Sequence, residues 1–97
     1  MTREEFKLSL AGNEPPAGLS TCLAALWWDA KGEWQRAHGL VDDLETRDGM
    51  AVHAYLHRKE GDESNANYWY RRCGLRFDER SLDAECASLL EELLSAS

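Results

Sequence analysis

HAYLHRKEGDESNANYWYRRCG, residues 53–74, is the stretch from which the rest of the chain can be read. Glu60-Gly61-Asp62 is a turn signal, and the segments on either side of it have helical spacing. Upstream, Val52, Tyr55 and Leu56 share one face of a helix expected over about 49–60. Downstream, Asp62 or Ser64 is a good N-cap. Ala66, Trp69, Tyr70 and Cys73 then fall on one side, and Gly74 suits the left-handed position that ends a helix. A link this short makes the two helices pack antiparallel. Residues 49–74 therefore read as a helical hairpin.

A shift of 29 residues lays an upstream segment over this hairpin. Ala25, Gly32 and Ala37 fall on Ala54, Gly61 and Ala66; Leu26 and Trp27 fall on Tyr55 and Leu56; Leu40 falls on Trp69. The upstream segment, 18–45, thus reads as a first hairpin. Its first helix carries Leu19, Leu23, Leu26, Ala30 and Trp27 inward, and its second carries Trp34, Ala37, Val41 and Leu44. In both copies glycine makes the turn, and a small alanine lets the two backbones approach. Thr46-Arg47-Asp48-Gly49 reads as a polar turn between the hairpins.

Residues 1–17 form an N-terminal arm. Thr2-Arg3-Glu4-Glu5 fits a capping box, and the helix it opens is stopped by Gly12, Pro15, Pro16 and Gly18. A last helix is expected over 81–95. Leu82, Cys86, Leu89, Leu90, Leu93 and Leu94 make its apolar stripe, backed by Asp83, Glu85, Glu91 and Glu92. No segment alternates as a strand does. The expected fold is a single all-α domain, 1–97: two antiparallel helical hairpins, a short N-terminal helix and a C-terminal capping helix.

The paired hairpins resemble tetratricopeptide-type repeats, which stack through helix pairs of this kind. The resemblance implies a partner-binding surface. The motifs A-L-W-W-D-A-K-G-E-W-Q-R-A-H and H-A-Y-L-H-R-K-E-G-D-E-S-N-A-N-Y-W-Y-R-R resemble a family of small uncharacterised bacterial proteins. That resemblance implies a bacterial cytoplasmic protein and brings no catalytic residues with it.

The net charge is −7, from 18 acidic and 11 basic residues. A nucleic-acid binder needs concentrated positive charge, so no nucleic-acid partner is expected. Arg71, Arg72, Arg76 and Arg80 read as solvated surface. No run reaches the ~20 apolar residues of a membrane span, and no apolar signal region opens the sequence. Cys22, Cys73 and Cys86 are odd in number and widely spaced, as reduced thiols are in the cytoplasm.

His53 and His57, four residues apart, project from one helix face, with Glu60 one turn further on. With Glu60 they are a candidate divalent-metal set, to which His38 on the neighbouring hairpin could add a third ligand. The alternative is that histidines line an inter-hairpin groove with Arg58, Tyr68 and Arg72. Seven Trp and Tyr rings, some consecutive, cannot all point inward, and an exposed aromatic edge suits an interface. The leading expectation is an interaction module that binds a peptide or protein partner, or forms a homodimer. The other is a small metal- or anion-binding protein or enzyme built on the histidines. No catalytic triad, nucleophile elbow or phosphate loop is present, so no catalytic residue is assigned, and no cofactor is expected beyond that metal.

Overall fold

In a computed structural model, residues 1–77 and 79–96 are described. They form α1 (Arg3–Ser9), α2 (Thr21–Ala30), α3 (Trp34–Val41), α4 (Arg47–Lys59), α5 (Glu63–Arg72) and α6 (Leu82–Ala96). No strand occurs among the described residues, and none of their helices is long and apolar enough to cross a membrane. The fold is all-α, and its two hairpins are α2–α3 and α4–α5.

Backbone hydrogen bonds show the repeat directly. At the end of α2, Gly32 N donates to Asp29 O and Glu33 N to Trp28 O. At the end of α4, Gly61 N donates to Arg58 O and Asp62 N to His57 O. These are Schellman closures, and Gly32 and Gly61 adopt φ of +84° and +91°. The paired alanines Ala25, Ala54, Ala37 and Ala66 are all 0 % exposed, so each hairpin closes on a small residue. A bulkier side chain has no space there. Ala66→Leu is expected to destabilise by about 1–3 kcal/mol through overpacking, read as a fall in the urea midpoint. An unchanged midpoint would count against the tight α4–α5 contact.

Capping follows the sequence at the N-terminus, where Glu5 N donates to Thr2 Oγ1 (3.1 Å) and Thr2 N to Glu5 Oε1 (2.9 Å). Ser20 and Asp62 cap α2 and α5. The inter-hairpin segment departs from its expected turn. Thr46 is itself an N-cap, accepting from Gly49 N, so α4 begins at Arg47 and Gly49 lies within the helix. A Cβ on Gly49 would stand 2.6 Å from Leu44 O, so the absent side chain lets the connection pack against the helix.

The core joins Leu23, Leu26 and Trp27 of α2 to Ala37 and Val41 of α3 and to Val52, Tyr55 and Leu56 of α4. Helix α6 packs across α2 and α4, the first helices of both hairpins, and also touches α1. Trp27 Nε1 donates to Ser9 Oγ, and Lys31 Nζ donates to the carbonyls of Leu10 and Gly12, fixing the arm to α2.

Two inward–outward assignments are corrected. Ala30, expected in the core stripe, is exposed, and Asp29 is buried instead, paired with Lys59 at 2.8 Å. Glu85, expected on the solvated back of α6, is 3 % exposed. Its carboxylate accepts from Arg58 (2.7 Å) on one oxygen and from the Tyr70 hydroxyl on the other. Satisfied charges can be buried, and an apolar-periodicity argument does not see their partners.

Candidate functional site

Helix α3 supplies His38, and α4 supplies His53 and His57 from successive turns. The two helices pack together across the seam between the hairpins. This brings the three rings into a near-equilateral triangle, with centroids 4.8 Å apart for His38–His53, 5.1 Å for His38–His57 and 4.8 Å for His53–His57. His53 is 2 % exposed and His57 6 %, so they belong to the interior rather than to an open groove. His38 is only partly covered and forms the side nearest solvent.

Aromatic rings hold the imidazoles in place. Trp34 stacks on His38 (4.9 Å, 10° between planes), and Trp69 stacks on His53 (4.1 Å, 21°). Trp34 is itself anchored by its Nε1, which donates to Leu56 O (2.8 Å). Two of the seven Trp and Tyr rings are used in this packing, while Trp27, Tyr55 and Tyr70 are buried elsewhere. Of the Trp and Tyr rings, Tyr68 alone is exposed.

The nitrogens are arranged asymmetrically. His57 Nδ1 lies 2.7 Å from Glu60 Oε1. An acceptor that close places the ring proton on Nδ1 and leaves the Nε2 lone pair available. His38 Nε2 and His53 Nε2 are 3.1 Å apart, so in the neutral cluster one of them donates to the other. His53 Nδ1 is buried without a hydrogen-bond partner among the described residues, a condition that costs about 1–3 kcal/mol. Burial, then the neighbouring His57 and His38, push the His53 pKa down from 6.5 to about 4, against a small opposing effect of Asp42. His53 is thus a neutral imidazole at physiological pH. A leucine would fill its place without an unpaired nitrogen, so packing alone is a poor account of it.

Three imidazole nitrogens this close fit a metal ion. Tetrahedral zinc with Zn–N bonds of about 2.0–2.1 Å separates its ligand atoms by about 3.3–3.4 Å, near the observed His38–His53 spacing. The cluster His38, His53 and His57 has one ligand atom from each residue within 4.8 Å of the others. Glu60 falls in a different trio, with His57 and Asp62. It stands behind His57 on Nδ1, where a carboxylate fixes the tautomer of a ligating histidine.

The remaining candidates lie elsewhere. Arg58 follows His57 directly and so points about 100° away. It reaches Glu85 and the Arg80 carbonyl, with its guanidinium 5.0 Å from the Phe77 ring, and it lines no groove with the histidines. Arg72 lies over Trp69 (4.9 Å) and Tyr68 (5.7 Å) and pairs with Glu45 at 3.3 Å. Tyr68 and Arg72 therefore back the Trp69 ring that stacks on His53, one layer removed from the cluster. Trp34 and Trp69 were legible in sequence only as apolar residues, although Trp34 stands four residues before His38, the spacing of a helical stack.

Fold and site together define a two-hairpin helical protein with a three-histidine cluster, two of its rings buried and His38 partly covered, at the seam between hairpins. No protein-family model matches the chain, and no curated protein and no solved structure matches it either.

Proposed function

We propose that this protein binds a divalent transition-metal ion through His38, His53 and His57, with zinc the first candidate. The observation that carries the reading is the convergence of three imidazoles from two hairpins, with Glu60 holding the His57 proton on the far nitrogen. Imidazole suits zinc, copper, iron and nickel, while an all-oxygen shell would favour magnesium or calcium. The partner-binding reading depends on exposed aromatics, and those are reduced to Tyr68.

Calorimetric titration of tag-free protein with zinc tests the proposal. One equivalent is expected to bind per chain. His57→Ala is expected to abolish that binding, and Glu60→Gln to weaken it by about 10–100-fold, the usual effect of removing an outer-shell partner. A folded wild-type chain that takes up none of zinc, cobalt, nickel or copper would overturn the proposal.

A further inference from the structure

Three histidines leave one position of a tetrahedral ion unfilled, and the occupant of that position decides what the site can do. We infer that Asp42 fills it, so that the ion is enclosed by three imidazoles and one carboxylate. The inference rests on the three-histidine reading above.

Asp42 caps the C-terminus of α3, one helical turn beyond His38. Its Oδ1 lies 3.8 Å from His38 Nε2, the same nitrogen that faces His53 Nε2. Ligand atoms of a tetrahedral ion stand about 3.3–3.4 Å apart; Asp42 lies beside His38 but outside the 4.8 Å grouping of the three histidines, so closing onto the ion takes a rotation of its side chain toward His53 and His57. The Asp42 side chain is 56 % exposed, which leaves it room to rotate. Of the other carboxylates in the neighbourhood, Glu60 holds His57 Nδ1, Asp62 stands beside that His57–Glu60 pair and accepts from Asn65 N as the cap of α5, and Glu45 faces Arg72. Asp42 is thus the carboxylate on the Nε2 side of the cluster, where the partly covered His38 meets solvent.

The chemistry is also balanced. Three neutral imidazoles leave a divalent ion with its full charge in an interior that disfavours it, and one carboxylate halves that charge. A filled fourth position makes a closed shell, the pattern of ions held for structure or retention; an open one would present a bound water for catalysis. Asp42 therefore selects retention of a zinc-class ion.

Cobalt(II) in place of zinc makes the shell visible, since tetrahedral cobalt absorbs strongly in the visible range and changes spectrum when a ligand is exchanged. The experiment uses tag-free full-length protein with one equivalent of cobalt and sodium azide as the competing anion. With Asp42 as ligand, the wild-type spectrum stays unchanged as azide is added. Asp42→Ala, which loses a direct ligand rather than an outer-shell partner, binds cobalt at least about 10-fold more weakly, and its spectrum shifts on azide addition because the opened position accepts the anion. Asp42→Asn, which keeps the side-chain shape, is expected to show the same opening, and far-ultraviolet circular dichroism checks that both variants are folded. A wild-type spectrum that responds to azide would overturn the inference, as would variants whose cobalt spectra and affinities match the wild type; in both cases the three-histidine site would stand. Absence of cobalt binding in the wild type, with zinc also failing in calorimetry, would remove the site itself and Asp42 with it.

Discussion

Replacing Glu85 with alanine is expected to remove about 3–5 kcal/mol of stability, the loss that follows when one member of a buried ionic set is deleted. Glu85 is nearly inaccessible, and its two oxygens accept from Arg58 and from Tyr70. The variant leaves a mostly covered guanidinium and a buried hydroxyl without their shared acceptor. Burial first, and then the bond to Glu85, push the Tyr70 hydroxyl well above its ordinary pKa, so it stays a donor across the accessible pH range. These three residues come from α4, α5 and α6, and the set ties the last helix to the second hairpin. Domains of this size have about 5–15 kcal/mol in total, so the loss is a large share of the whole. Urea unfolding at neutral pH measures it. Tyr70→Phe, which removes one bond and keeps the ring, should cost only about 1 kcal/mol. A loss below about 1 kcal/mol for Glu85→Ala would mean that the carboxylate is solvated in solution.

The second large effect depends on pH and belongs to the metal-free protein. His53 is held near pKa 4 in the fold, against an ordinary value of 6.5. Between those values the unfolded chain takes up a proton that the folded chain refuses, so folding loses stability as pH falls. The stability is fully present above about pH 6.5. It declines by about 1.4 kcal/mol per unit below that, and levels off below pH 4 after a loss of about 3 kcal/mol. The groups facing His53 are His57 on its own helix, and His38 and Asp42 on α3; Trp69 of α5 stacks on its ring. His53→Leu isolates its share. The variant should be within about 1 kcal/mol of wild type at neutral pH, since removal of the unpaired nitrogen offsets the loss of the stacking contact and of the hydrogen bond to His38. By about pH 5 it should be the more stable of the two by about 2 kcal/mol. Equal pH dependence in wild type and variant would show that His53 is readily protonated in the folded state, and so not sealed from solvent.

The hairpins were readable because their determinants are local. Gly32 and Gly61 close Schellman turns with bonds spanning only a few residues, and Ala37 and Ala66 sit at fixed distances from them. The spacing of His53 and His57 on one face was readable for the same reason. Their burial was not. It depends on Trp69 of α5, which stacks on His53, and on Trp34 of α3, whose ring lies 5.9 Å from that of His57, and contacts between helices leave no periodic signature. The burial of Asp29 and Glu85 is not legible because their partners, Lys59 and Arg58, lie 30 and 27 residues away in the chain. A carboxylate's position on a helical wheel says nothing about a cation that distant. By composition alone, Thr46 to Gly49 reads as a turn. As an N-cap and an interior glycine they belong to a helix, a distinction made by the Leu44 backbone that packs against Gly49.

That Gly49 contact bears on more than local packing. Leu44 lies in the connection out of the first hairpin, and Gly49 lies in the first turn of α4, one turn before His53. The angle between hairpins is thus fixed close to its pivot by the absence of a single methyl group, while the imidazoles meet a short distance along the same two helices. A change of fit at residue 49 is therefore passed on one turn along α4 to where His38 faces His53, and the spacing of those two nitrogens responds to how the two halves of the molecule are set against each other.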